Sequence, residues 1–283
     1  MNVSKEVLRL FPPAVEKALR QQADDDTEEI RCRVGNPYVI CTASGERPVY
    51  PCRVSPSDLD YILERASNYS MHACQTQLRA GFLHTDGGCR IGVCGTVTEN
   101  GLRSVSSLSV RIPHAVTGCA QPLIPLLMKD GLQSTWIVSP PGAGKTTLLR
   151  DLIRALSEQG YRVSVADERG ELAAVHGRRP QFDLGPRTDV MTGGSKHKSA
   201  FMLLRAMNPQ ILAFDEITAP EDIEAARYAA GCGVILLATA HAADARSLQE
   251  RPLYRELLRE KIFRQAVEIQ IERGKRKYQV VKL

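Results

Sequence analysis

This chain has few aromatics, no long apolar run and no cysteine pair at metal or redox spacing. Phe, Trp and Tyr make up 5% of its 283 residues, with a single Trp. That scarcity argues against a single-strand nucleic-acid groove walled by stacking rings. Nothing approaches the roughly 18 consecutive apolar residues a membrane-spanning helix needs. The longest candidate, Val234 to Ala240, is the length of a strand. The opening MNVSKEVLRLFPP has no apolar core of a secretory leader, so a cytoplasmic protein is expected. The 8 cysteines form no CxxC, and in the cytoplasm they are expected to be reduced. A metal grouping of His72, Cys74, His84, Cys89 and Cys94 fits no standard ligand spacing. Small buried apolar side chains are the expected alternative, because Cys89, Ile91 and Val93 alternate as one face of a strand does.

Net charge is also nearly absent from most of the chain. The net charge is +5, but the stretch from Arg246 onward holds eleven basic against five acidic residues, leaving residues 1–245 at −1. A nucleic-acid-binding body is therefore not expected. The basic excess concentrates in the C-terminal region and in Arg273-Gly-Lys-Arg-Lys277. That segment reads either as a solvated turn, the favoured reading, or as a contact for an acidic partner or an anionic membrane.

What is present divides into two rhythms. Up to about residue 125, short strands such as EEIRCRV, PYVICT and CRIGVCGTV mix irregularly with helices. A smaller N-terminal α+β domain, residues 1–125, is expected. From 126 to 283, the apolar strands WIVS, RVSVAD, ILAFDE and VILLATAH alternate with amphipathic helices. This predicts a parallel α/β sheet covered on both faces. The chain ends in a hairpin turning at Gly274-Lys275.

The strongest chemical signal is Ser139-Pro140-Pro141-Gly142-Ala143-Gly144-Lys145-Thr146-Thr147, set between a strand and a helix. This is the context of a phosphate-binding P-loop. Gly142 and Gly144 let successive N–H groups turn toward phosphate oxygens, and the helix N-terminus adds its dipole. Lys145 is assigned to the terminal phosphates and Thr146 to Mg²⁺, so ATP and Mg²⁺ are the expected ligands. Ser139 replaces the usual first glycine, at the position farthest from the phosphates.

Asp215, 70 residues beyond Lys145, follows four apolar strand residues and is the second candidate Mg²⁺ residue. Glu216 is a candidate base for the attacking water. VADERGE, around Asp167, Glu168 and Glu171, brings more carboxylates to a neighbouring strand end. Thr239 and His241 end the last apolar strand and are candidate sensors of the γ-phosphate. Arg111, Arg178, Arg179, Arg187 and Arg205 are candidates to neutralise transition-state charge from a second subunit.

Taken in order, EEIRCRVGNP, CRIGVCGTV, SSLSVRI, SPPGAGKTTLLRDL, VADERGE, GPRTDV, LLRAMNPQILAFDEI and ATAHA resemble the hexameric ATPases of type II and type IV secretion. More closely, they resemble the stage III sporulation AA family of spore-forming bacteria. The resemblance implies a RecA-like P-loop domain. It also implies a first domain packing over a neighbour's nucleotide. Glu168 would lie in the family's acidic box, competing with Glu216 to activate water, and His241 in its histidine box. Arg111 and Arg187 would be the best-placed arginines. It further implies a hexameric motor on the mother-cell side of the forespore membrane, working with membrane-embedded sporulation channel proteins. On chemistry alone three alternatives remain. They are a P-loop kinase with HGRRPQFDLGPRTD as its lid, a nucleic-acid translocase, and a nucleotide-gated scaffold with little turnover.

Overall fold

The computed structural model describes residues 5–70, 74–79, 81–98, 101–112, 116–176, 178–272 and 275–283. Two compact units result. One is Met1–His114 with Ala174–Phe182, and the other is Ala115–Ala173 with Asp183–Leu283.

In the first unit, helices α1 (Lys5–Leu8) and α2 (Pro13–Gln22) precede strands β1 (Thr27–Arg33), β2 (Pro37–Thr42) and β3 (Gly45–Arg53). Then come α3 (Pro56–Ala66), α4 (Gln75–Arg79), β4 (Phe82–His84), β5 (Arg90–Thr98) and β6 (Gly101–Arg111). The strands form one antiparallel sheet in the order β3-β2-β1-β6-β5-β4. Alternation selects the buried face: Ile30 and Cys32 of β1, with Tyr38 and Ile40 of β2, are fully buried. Helix α3 begins at a capping box. Ser55 Oγ accepts from the Asp58 N–H at 3.2 Å, and Asp58 Oδ2 accepts from the Ser55 N–H at 2.9 Å.

Of the cysteine–histidine grouping, His72 lies outside the described residues. Cys89 is fully buried, and its thiol is pushed up to about 12 by that burial. Among the described residues no three His, Cys, Asp or Glu side chains converge as a metal site. None of the described helices is long and apolar enough to cross a membrane.

The second unit contains α5 (Ile124–Met128), β7 (Thr135–Ser139), α6 (Lys145–Glu158), β8 (Val163–Asp167), β9 (Thr188–Thr192) and α7 (Lys196–Ala206). It continues with β10 (Ile211–Glu216), α8 (Pro220–Gly231), β11 (Ile235–His241), α9 (Pro252–Arg259), β12 (Gln265–Glu272) and β13 (Lys275–Lys282). The sheet order is β13-β12-β7-β11-β10-β8-β9. All neighbours run parallel except the edge pair β12–β13. Strands β7 and β8 are buried at every position, as continuous apolar strands between two helical layers require. The parallel register then brings Ser139, Asp167, Asp215, Thr239 and His241 to one rim: Ser139 pairs with His241, and Phe214 with both Ala166 and Ala238. A register shift between Phe214 and Glu216 falls at Asp215. The expected hairpin forms as β12 and β13, and its turn residues Arg273 and Gly274 lie outside the described residues.

Aromatic packing anchors β7. Trp136, fully buried in β7, stacks on Phe263 at 4.1 Å between ring centroids and tilts against Tyr254 at 5.3 Å. Trp136→Ala removes this ring from a strand that carries the P-loop. A loss of about 3–5 kcal/mol is expected in urea-induced unfolding.

Candidate functional site

The P-loop joins the buried end of β7 to α6. Gly142 has φ +79° and Gly144 φ +99°, left-handed conformations that favour glycine and bend the loop around its own amides. Gly144 is also the N-cap of α6, so the loop ends on the positive pole of a 14-residue helix. Ser139 is fully buried, and its Oγ donates to the Pro140 carbonyl at 3.0 Å. A small side chain therefore fits this position behind the loop.

Lys145 is 6% exposed, and its ammonium is held entirely by internal acceptors. Nζ donates to Ser139 O at 3.0 Å and Pro140 O at 3.2 Å, and lies 2.9 Å from His241 Nδ1. Burial lowers the Lys145 pKa, while Glu216 and Asp215 oppose that shift. The His241 pKa is also lowered, chiefly by burial, with Glu216 opposing and Lys145 reinforcing. A neutral imidazole follows. Its Nδ1 accepts from Lys145, and its Nε2–H points at Glu216 Oε2, 3.5 Å away.

Thr146 Oγ1 donates to Asp215 Oδ1 at 3.1 Å, joining the two expected Mg²⁺ residues. Burial, then the nearby Glu171 charge, raises the Asp215 pKa to about 7. Glu168, Arg169 and Glu171 line the same cleft of about 300 Å³, with Gly142, Gly144, Lys145, Thr146, Asp215, Glu216, Thr239 and His241. Asp167 is different. It is 1% exposed and accepts from the Leu172 and Ala173 N–H groups at 3.2 and 2.8 Å. Its carboxylate folds the turn that presents Glu168 and Glu171. Arg150, one helical turn beyond the P-loop, donates to the carbonyls of Glu171 and Leu172 at 2.7 and 3.0 Å and ties that turn to α6.

These residues fit a nucleotide and a divalent cation. A helix N-terminus and glycine-turned amides suit phosphates, and a hydroxyl beside a carboxylate suits Mg²⁺. Of the remaining P-loop residues, Thr147 is half-buried, Ala143 is buried, and Pro140 and Pro141 are exposed.

The arginine candidates stand elsewhere. Arg187 lies just before β9, at the opposite end of the strands from the P-loop. Its Nη1 donates to Gly160 O at 3.1 Å, and its own carbonyl accepts from the Val163 N–H. Arg205 is exposed in the last turn of α7. Arg111 belongs to the first unit, 65% exposed and 3.9 Å from Glu29. It shares a cleft there with Arg31, Arg33 and Arg90. Arg178 and Arg179 fall in the segment Ala174–Phe182, which also belongs to the first unit. There His176 Nε2 lies 2.7 Å from Asn68 Nδ2, and Gln181 Oε1 accepts from the Gly87 N–H at 3.0 Å.

Sequence reasoning missed Lys196. It is 8% exposed and lines the cleft. Nζ donates to the Glu216 carbonyl and, at 3.1 Å, to Thr218 Oγ1. It also stands 3.4 Å from Asp222 and 3.9 Å from Glu168. The signal was a lysine in the first turn of a helix, where the dipole disfavours a cation unless carboxylates surround it. Arg276 was noticed only as part of a charged turn. Its Nε donates to the P-loop carbonyl of Ala143 at 2.9 Å.

Comparison with known proteins gives a family and a fold. The family described as "Sporulation stage III, protein AA" matches residues 1–281. The Stage III sporulation protein AA of Bacillus subtilis (strain 168) is 34% identical over 95% of this chain and 92% of its own. Protein SEEDLING PLASTID DEVELOPMENT 1 of Arabidopsis thaliana is 27% identical over 83% of this chain, which spans 33% of that protein. Among solved structures, the pilus retraction motor PilT with bound ADP superposes with a TM-score of 0.65. It is 16% identical, over 99% of this chain and 83% of that one. The Legionella pneumophila ATPase DotB gives 0.58 at 16% identity, over 91% and 76%. The fold is that of the RecA-like secretion ATPases.

The raised Asp215 pKa has a measurable consequence. The folded protein keeps this proton up to about pH 7, whereas 3.8 is the ordinary value that applies to the unfolded chain. Stability from this group therefore falls as pH rises between those values. Without nucleotide, Asp215→Asn is expected to raise the thermal midpoint at pH 8, by an increment that shrinks toward pH 5.

Proposed function

Since this chain belongs to the Sporulation stage III, protein AA family, we propose that it is a Mg²⁺-dependent ATPase, the motor of a secretion-like channel complex assembled during endospore formation. The observation that carries the reading is the junction of Lys145, Thr146, Asp215, Glu216 and His241 at one sheet rim. Lys145 neutralises the terminal phosphates, exchanging internal acceptors for phosphate oxygens. P-loop amides orient the polyphosphate. Thr146 and Asp215 would hold Mg²⁺, which would supply positive charge to the polyphosphate. Glu168 and Glu216 both flank the cleft as candidates to take the proton of the attacking water. Glu168 has the freer side chain at 43% exposed, with the Lys196 ammonium 3.9 Å away. His241 links Glu216 to Lys145 and so reads whether the γ-phosphate is present.

Arg187 faces away from its own chain's cleft, and Arg111 is exposed in an arginine-rich cleft of the first unit. Both suit a finger acting on a neighbouring subunit in a hexameric ring. Such a ring would work on the mother-cell side of the forespore membrane, docked on membrane-embedded sporulation channel proteins. The segment that a kinase would use as a lid, residues 176–189, overlaps Ala174–Phe182 of the first unit, where His176 and Gln181 meet Asn68 and Gly87.

Lys145→Ala deletes the P-loop ammonium. ATP binding weaker by about tenfold and loss of measurable phosphate release are expected. Unchanged affinity and turnover would remove the site assignment. Specific activity should also rise with protein concentration as subunits assemble, followed by phosphate release alongside mass in solution. A flat dependence would contradict action across subunits.

A further inference from the structure

The cleft has two flanks. On one side of β7 stand β11, β10 and β8, whose ends carry His241, Asp215, Glu216 and Glu168. On the other side stands the β12–β13 hairpin. Strand β12 runs parallel to β7, with Glu268 opposite Val138, and continues four residues to Glu272. That extension carries the hairpin about 13 Å past the last paired position, on the P-loop side of the sheet. Arg276 then reaches back from β13. Its Nε donates to Ala143 O at 2.9 Å. A Cβ placed on Gly144 would lie 3.0 Å from that Nε and 3.5 Å from Cζ and Nη2. The guanidinium is therefore pressed against the second P-loop glycine. A side chain at 144 is opposed twice, by φ +99° and by this contact. Among the described residues nothing else takes a hydrogen bond from the two Nη groups.

A P-loop binds a nucleotide with polarity. The lysine and the hydroxyl engage the β- and γ-phosphates, and the loop amides engage the α- and β-phosphates. Lys145, Thr146, Asp215 and His241 fix the γ end on the β11 flank, so the α-phosphate and the nucleoside leave on the hairpin flank. The γ end has cations in Lys145 and Lys196. On the hairpin flank the cation at the loop is Arg276, with donors in the forked geometry that suits two phosphate oxygens.

We propose that Arg276 is a nucleotide-binding residue of this same chain, donating from its Nη groups to the α-phosphate of a nucleoside di- or triphosphate. This inference rests on the nucleotide-site reading above and extends it to the hairpin. The hairpin becomes the nucleoside-side wall of the cleft, needs no neighbouring subunit to act, and registers occupancy through the residue that touches the loop.

The test is the Kd of Mg-ADP and the kinetics of Mg-ATP hydrolysis for the full chain and for Arg276→Gln and Arg276→Lys. Thermal melting without nucleotide runs alongside. Arg276→Gln is expected to raise the Kd of ADP and the KM of ATP together by about tenfold, the signature of a contact made equally before and during reaction. Its kcat should fall less than threefold, and its melting midpoint should stay within about 2 °C of the parent. Arg276→Lys keeps the charge without the fork and should fall between the two, and it carries the test if the glutamine variant does not fold. A lowered midpoint with ADP affinity within twofold of the parent would mean that Arg276 only tethers the hairpin, overturning the proposal. If the parent chain binds neither ADP nor ATP, the nucleotide-site reading itself fails. Parent binding with an unaffected Arg276→Gln overturns the hairpin role alone.

Discussion

The site is organised around one buried ammonium. Lys145 is almost sealed from water, and a charge in such a place persists only where acceptors surround it. The Ser139 and Pro140 carbonyls come from the turn that Gly142 and Gly144 allow. The third acceptor, His241 Nδ1, comes from a strand 96 residues away, brought alongside by the pairing of β11 with β7. Slip that register and the lysine loses its imidazole, while the imidazole loses its place between Lys145 and Glu216. The parallel sheet, the glycine turn and the neutral histidine are thus joint conditions for a single charge.

The same rim is crowded with negative charge. Asp215, Glu216, Glu168 and Glu171 share the cleft, with Lys145 and Lys196 as its buried cations. Crowding and burial explain why Asp215 holds its proton far above the usual carboxylate range. That arrangement costs the protein stability as the pH rises toward 7. The structural carboxylates are kept apart from this pool. Asp167 spends its oxygens on backbone amides of its own turn. Asp151 is buried against the Gly118 and Ala120 N–H groups and Arg154, which outweigh burial and hold its pKa low.

Local signals carried much of this reading. The P-loop, the apolar runs of β7, β8, β10 and β11, and the carboxylates at their ends all depend on residues near one another in sequence. The fold class and the grouping of Lys145, Thr146, Asp215, Glu216, Glu168 and His241 were therefore legible. Contacts across long separations were not. Arg276 meets Ala143 over 133 residues, and nothing in Arg-Gly-Lys-Arg-Lys distinguishes a side chain on the P-loop from a solvated turn. Lys196 is buried because Asp222, at the start of α8, stands beside it, a pairing fixed by how α7 and α8 pack. Strand β9 was hidden because TDVMT is only half-buried at the sheet edge.

In the proposed function Lys145 exchanges its internal acceptors for phosphate. The direct measurement is a crystal structure of the chain with Mg²⁺ and a non-hydrolysable ATP analogue. Lys145 Nζ is expected to leave Ser139 O, Pro140 O and His241 Nδ1 for the β- and γ-phosphate oxygens. Thr146 Oγ1 should turn from Asp215 to the metal. Lys145 still bound to the Ser139 and Pro140 carbonyls, with the analogue held elsewhere, would contradict it.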